Sequence, residues 1–202
     1  MSMTDTTSTT TPQDAASQAA APALETITLA GGCFWCVEAA VLALDGVLEA
    51  TSGYAQGQVD QPSYEQVCGG RTGHAEAVRV RFDPRRLSLQ ALLDLFFTIH
   101  DPTTPNRQGG DVGPQYRSGI YFEQPEHEAV VREYLRRLEQ GGRYGGQPIV
   151  TELEALRVFW PAEAYHQRYF EQHPEQGYCQ VVIAPKMAKV QREFAGRLAP
   201  KA

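Results

Sequence analysis

Four cysteines stand at positions 33, 36, 68 and 179, and two of them close the run Gly31-Gly32-Cys33-Phe34-Trp35-Cys36. A cysteine reacts as its thiolate, so the charge and exposure around the sulfur decide what it can do. Cys33 follows a glycine pair, which lets the backbone bend sharply and lets a ligand come close. It precedes Val37, Ala40, Val41 and Leu44 at helical spacing, so the thiol sits at a strand-to-helix turn. A helix start favours negative charge by about 0.3–1 kcal/mol, under one pKa unit. The turn therefore helps Cys33 ionise without making it a full thiolate at pH 7. Phe34 and Trp35 bring apolar faces to the sulfur, and such faces suit a methyl-sulfur group. Cys36 shares the helix face of Cys33 at i+3. A disulfide between them needs a loosened first turn, which a CxxC at a helix start achieves in thioredoxin-like folds.

The elements that position this run are legible in outline. Ile27 and Leu29 alternate with threonines as a strand that Gly31-Gly32 breaks. Val47 to Tyr54 and Ala77 to Phe82 read as two more strands, the second half-buried. Ser88 caps a helix bearing Leu89, Leu92, Leu93, Phe96 and Phe97 on one side. A long polar loop, rich in Gly and Pro, runs from His100 to Arg117, and loops of this kind carry function. Further strands are expected at Ile120 to Phe122 and Ile149 to Leu153. Helices are expected from Pro125 to about Glu139, from Pro161 through Phe170, and after Pro185. Strands and helices are mixed, with too few strands for a doubly wound sheet. The expectation is one α+β domain over residues 24–202.

Composition narrows the function. The chain has 202 residues, 42% of them hydrophobic, which suits one well-cored domain. A formal net charge of −6 argues against a phosphate-backbone partner. No stretch reaches the length of a membrane span. Residues 1–23 are Ser, Thr, Ala, Pro and Gln with almost no large apolar side chain, so a disordered tail is expected there. That tail has neither the basic start nor the apolar centre of a secretion signal, so the expected location is the cytoplasm. In that compartment the cysteines serve as packing, metal ligands or redox groups rather than as structural disulfides.

The run GCFWCVEA, followed by YEQVC, GHAEAV, HDPTTPNRQGGDVGPQYRSGIYF and GYCQ, resembles the type A peptide methionine sulfoxide reductases. The resemblance spans about Thr26 to Gln180, with several separate motifs in order. It implies a mixed β-sheet with flanking helices, a ferredoxin-like α/β sandwich, and no cofactor or metal. It implies Cys33 as nucleophile, Phe34 and Trp35 as walls for the substrate methyl, and Glu76 as the acid near the sulfoxide oxygen. Tyr64 and Tyr116 correspond to the tyrosines that hydrogen-bond that oxygen, and Asp111 to an acidic residue on the polar side of the pocket. The implied reaction is reduction of methionine-S-sulfoxide, protein-bound and free, through a Cys33 sulfenic acid and then a disulfide. Thioredoxin is the implied reductant, and the expected assembly is a monomer. A positioned acid is worth about 10²–10⁴-fold here, and Glu76 can act so only if burial raises its pKa towards neutrality.

The resolving cysteine stays open between two positions. Cys179 in GYCQ stands where many relatives carry it, on a segment that glycine can loosen, and it ranks first. Cys36, where many relatives have Gly, ranks a close second. Cys68 is expected to pack. His74 and His100 are candidates for orienting the loops around the pocket. Two other classes compete. A thioredoxin-like exchanger using Cys33 and Cys36 leaves Asp111 and Tyr116 without a task. A four-cysteine zinc site has weak spacing.

Overall fold

The structure is a computed structural model that describes residues 23–200. The tail expected over residues 1–23 lies, but for its last residue, outside them. In chain order come β1 (Glu25–Gly31), α1 (Phe34–Leu42), β2 (Val47–Ala55), α2 (Tyr64–Cys68), β3 (Ala75–Phe82) and α3 (Leu89–Ile99). A small hairpin of β4 (Arg107–Gln108) and β5 (Asp111–Val112) follows, then β6 (Ser118–Phe122) and α4 (Glu126–Gln140). The last elements are β7 (Glu152–Ala155), β8 (Phe159–Pro161), α5 (Tyr169–Gln172) and α6 (Ala184–Glu193).

One six-stranded sheet runs in the order β7-β6-β1-β3-β2-β8. Its inner four strands with α1 and α3 form the split βαββαβ unit of the ferredoxin-like sandwich. All pairings are antiparallel except β6 with β7. Strand alternation sorts the two faces. Ile27, Leu29, Val78, Val80 and Phe82 join the main core beneath the helices. Ala30, Ala55, Ala75 and Ala77 line the other face with Tyr121, where Leu156 and Phe159 cover them. Glu76 has the parity of Val78 and Val80, so its side chain is committed to the helix-covered face.

The helices follow from local rules. Ser88 Oγ accepts from the Ala91 amide and starts α3, whose Leu92, Leu93 and Phe96 are fully buried. Ser63 and Gln66 form a reciprocal capping box that starts the short α2 within the β2–β3 connection. Without that insertion Tyr64 would have no place near α1.

The structure departs from the expected elements at four places. The 100–117 loop contains the β4–β5 hairpin, turned by Gly109 at φ +60° with Gly110 behind it. A 3-10 turn, Pro114–Tyr116, follows. The strand expected at Ile149 to Leu153 begins at Glu152. The helix expected from Pro161 through Phe170 is instead the edge strand β8, a 3-10 turn at Ala164–His166 and the four-residue α5. The Gln167 amide explains this last departure. It accepts from the Ser52 backbone N–H and donates to the Ser52 and Ala162 carbonyls, all at 2.9–3.0 Å, satisfying β2's edge as a strand would. Arg168 beside it is left-handed at φ 52°, which no helix continues through. Finally, the chain ahead of α6 is a π-helical turn, Cys179–Ile183. Among the described residues no helix is long and apolar enough to cross a membrane.

Candidate active site

Cys33 is the N-cap residue of α1, directly after the end of β1. Gly32 makes the junction possible. Its φ is +86°, and a Cβ there would lie 2.5 Å from the Gln108 side chain. Only a 7% fraction of Cys33 is exposed. The side chain of Cys33 itself does not cap α1, and the first turn holds no acid. That vacancy is filled from the sheet: the Phe34 backbone N–H donates to Glu76 Oε2 at 3.0 Å. The helix start therefore serves the carboxyl of Glu76.

Burial governs the protonation of the site. Glu76 is 1% exposed. Desolvation lifts its pKa to about 8, with the Asp111 charge adding to the rise, and the single Phe34 amide opposes it without prevailing. At pH 7 Glu76 is therefore largely a neutral acid. Cys33 departs from the expectation that the turn helps it ionise. Burial pushes its thiol well above the usual range, and its hydrogen bond to Cys36 and the charge of Glu76 add to this. Cys36 moves the other way, to about 7. It is the hydrogen-bond acceptor of the Cys33 thiol, and Lys186 and Tyr178 also stabilise its negative charge. Of the two thiols, Cys33 is held protonated by burial and Cys36 is the more readily ionised.

Aromatic rings surround this pair. Phe34 is fully buried and lies nearly parallel to Tyr64, with centroids 6.4 Å apart. Trp35 stacks on Tyr169 at 3.8 Å and 9°. Its indole Nε1–H donates to His166 Nδ1 at 3.2 Å, which fixes the His166 tautomer with its proton on Nε2. Burial keeps that ring neutral. Glu163 holds the far wall by accepting the Tyr64 amide at 2.9 Å and the Tyr54 hydroxyl at 2.7 Å. Tyr116 sits at the end of its 3-10 turn, and Glu76, Asp111 and Cys33 act on its hydroxyl. Glu76 likewise acts on Tyr64, and burial keeps both phenols protonated. Asp111 accepts the Tyr178 hydroxyl at 2.7 Å. Tyr178 also stands edge-on to Trp35, and its hydroxyl favours negative charge on the Cys33 and Cys36 sulfurs. The nine residues singled out in the sequence thus converge on the start of α1. Such a site offers a neutral carboxylic acid, two phenolic donors, a thiol and an apolar wall to one small polar group.

The chain matches the family model described as "Peptide methionine sulfoxide reductase" over residues 25–198. The chain belongs to the peptide methionine sulfoxide reductase family. It is 50% identical over 180 residues to the peptide methionine sulfoxide reductase MsrA of Polynucleobacter asymbioticus, covering 89% of this chain and 94% of that one. Among solved structures it is similar to reduced Mxr1 from Saccharomyces cerevisiae, with a TM-score of 0.72 and 36% identity over 77% of this chain and 89% of that chain. Mxr1 is also solved in complex with Trx2, there with a TM-score of 0.51 and 26% identity over 72% and 84% of the two chains.

Several residues around this family site were not singled out in the sequence. Tyr178 joins Asp111 to the Trp35 wall, and its only local signal was its place beside Cys179. His166, Glu163 and Tyr169 come from the stretch expected to be a plain helix. Lys186 comes from a weakly amphipathic tail. The expectation for Cys68 is corrected: it is exposed at the end of α2. Cys179, expected on a loosened segment, is fully buried in the π-helical turn, with Cys36 as its charged neighbour. His74 accepts the Gly57 amide and donates to the Val59 carbonyl, tying down the loop ahead of α2. His100 bridges the Phe96 carbonyl and Ser118 and is held neutral by burial, its pKa near 4. Among the described residues no three of His, Cys, Asp and Glu gather as metal ligands.

Proposed function

We propose that this chain reduces methionine sulfoxide with Cys33 as nucleophile and Glu76 as acid. One observation carries the reading: a buried carboxyl, neutral near pH 7, is held by the amide next to the nucleophilic thiol. A sulfoxide oxygen leaves only when protonated, and Glu76 supplies that proton while Tyr64 and Tyr116 donate hydrogen bonds to the oxygen. Phe34 and Trp35 hold the substrate methyl, and Asp111 orients Tyr178. As the Cys33 sulfur attacks the sulfoxide sulfur, its own proton passes to Cys36, the more readily ionised thiol one helical turn on. Methionine leaves, and Cys33 carries the oxygen as a sulfenic acid.

Cys36 is then the first thiol to condense with that sulfenic acid, ahead of Cys179. It stands one helical turn from Cys33 and is the more readily ionised thiol, whereas burial raises the Cys179 thiol in its π-helical turn. The resulting disulfide is reduced by a thioredoxin, a reading supported by the yeast relative solved with Trx2. The substrates are the S-sulfoxides of free and protein-bound methionine. The working unit is a monomer built from residues 24–202 and acting in the reducing cytoplasm.

The test is dithiothreitol-driven reduction of each sulfoxide epimer by wild type and Cys33→Ser. The expected result is turnover of the S epimer by wild type and none by the variant. Activity retained without the Cys33 thiol would refute the reading.

A further inference from the structure

Tyr116 and Glu76 reach the site on supports of unequal firmness. β3 is locked where Glu76 sits: Ala75, Glu76 and Ala77 pair with Ala55, Tyr54 and Gly53 of β2. Tyr116 instead ends the short 3-10 turn Pro114–Tyr116 that follows the β4–β5 hairpin. Its N–H donates to the Gly113 carbonyl at 3.0 Å, and the Arg117 N–H donates to the Pro114 carbonyl at a long 3.4 Å. Backbone bonds of this kind shape the turn but do not tie it to β3. The Gln115 side chain ties it weakly to the end of α2, donating to the Cys68 carbonyl at 3.4 Å.

The Arg117 side chain supplies the missing tie. It is only 14% exposed. Its Nη1 donates to the Pro114 carbonyl at 2.9 Å, within the turn that carries Tyr116. Its Nη2 donates to the Gly73 carbonyl at 3.1 Å, just ahead of β3 and Glu76. Its Nε donates to Glu152 Oε2 at 2.9 Å, at the start of β7. The same Glu152 oxygen accepts the hydroxyl of the fully buried Tyr121 at 2.8 Å, so the carboxylate is itself fixed. A planar guanidinium presents its N–H groups in one rigid fork, and its three acceptors are thereby held in register. An ion pair alone would need only Glu152. The two carbonyls lie on the segments that bring Tyr116 and Glu76 together.

We propose that Arg117 is a positioning residue for the reductase step: its guanidinium fixes the Tyr116 turn to the head of β3, so that the Tyr116 hydroxyl meets the same oxygen as the Glu76 carboxyl. This rests on the reading that Tyr116 donates to the sulfoxide oxygen. Arg117 acts through Tyr116 and moves no proton, because a guanidinium keeps its charge at every working pH.

The experiment is single-turnover methionine formation from free methionine-S-sulfoxide in a double-variant cycle of Arg117→Lys and Tyr116→Phe. Arg117→Met is a second way of breaking the fork, and urea unfolding of every variant follows stability. Lysine keeps a cation beside Glu152, which protects the fold, but one ammonium cannot serve Glu152 and both carbonyls in the guanidinium's plane. Tyr116→Phe should form methionine about twofold to tenfold more slowly than wild type, the range for one neutral hydrogen bond. Arg117→Lys and Arg117→Met should each show a loss of that same size. The double variant should be no slower than Tyr116→Phe alone, because a turn without its hydroxyl has nothing left to aim. A merely structural role would slow both backgrounds by the same factor, or would move only the urea midpoint. Either of those results, or a wild-type rate in Arg117→Lys, overturns the proposal. The underlying reading fails separately, if Tyr116→Phe alone forms methionine at the wild-type rate.

Discussion

Glu76→Gln should disable the enzyme and stabilise it, the second effect growing with pH. In the folded chain Glu76 keeps its proton to about pH 8, against an ordinary value of 4.5 once unfolded. The folded state therefore binds the extra proton between these limits. Stability from this group is fully present below about pH 4.5 and is lost as pH rises towards 8. Between pH 5 and 8 the loss integrates to about 3–4 kcal/mol, near 1.4 kcal/mol per pH unit over most of the range. Glutamine does not titrate, and its Oε1 can still accept the Phe34 amide, so the α1 start survives. Its extra N–H donors can go unpartnered at a fixed cost of about 1–3 kcal/mol, so the pH dependence is the sharper readout. Urea unfolding of both proteins at pH 5, 6, 7 and 8 measures it. The stability difference should move in favour of Glu76→Gln by about 3–4 kcal/mol across the series. Single-turnover methionine formation should fall by about 10²–10⁴-fold in the same variant, because an amide cannot deliver the proton. Parallel stability curves, or near-normal methionine formation, would refute the assignment of Glu76 as a buried neutral acid.

Three further outcomes follow from the same geometry. Tyr178→Phe removes the hydroxyl that donates to Asp111 and favours negative charge on the two thiols. The loss of one such hydrogen bond, about 0.5–1.5 kcal/mol, should slow methionine formation by about twofold to tenfold, seen in single-turnover assays. His166→Leu strands the Trp35 indole N–H and should cost about 1–3 kcal/mol in thermal or urea unfolding, with a raised KM. Gln167→Ala frees the β2 edge at Ser52 and loosens the chain that brings Tyr169 to Trp35. It should raise KM more than it lowers kcat, and equal effects on both would count against this role.

Strands β1, β2 and β3, the capped α3 and the Cys33 turn were legible in the sequence because each follows a local rule. Alternation, an N-cap serine or a glycine pair marks where the element must start or stop. The candidate acid was named only through the family resemblance: the strand read from Ala77 to Phe82 stops short of it, whereas β3 starts at Ala75 and gives Glu76 the parity of Val78 and Val80. What local rules could not reach was long-range substitution of one hydrogen-bond partner for another. Gln167 replaces a strand at the edge of β2, 115 residues away, so apolar spacing after Pro161 misread a looped wall as a helix. Cys68 was expected to pack, yet it ends a five-residue helix that buries only Val67. The assignment of charge was the least legible part, because the groups deciding it, Tyr178 and Lys186, lie far along the chain from Cys33 and Cys36.

That assignment has a physical logic. A site closed enough to keep Glu76 neutral must also keep Cys33 neutral, because both are starved of the same solvent. Acid and nucleophile then meet the substrate as two uncharged groups, and the nucleophile needs somewhere to leave its proton. An exposed base would reintroduce water and return Glu76 to its ordinary ionised state. A second thiol one helical turn on meets the need without widening the pocket, provided a cation sits behind it. Where glycine stands at position 36, no acceptor remains at that place, and the Cys33 proton must leave by another route. Cys36→Gly should therefore slow methionine formation itself, as well as the disulfide step. Single-turnover methionine release at pH 7 measures this. A methionine burst at the wild-type rate in that variant would show that Cys36 acts only after the oxygen has been transferred.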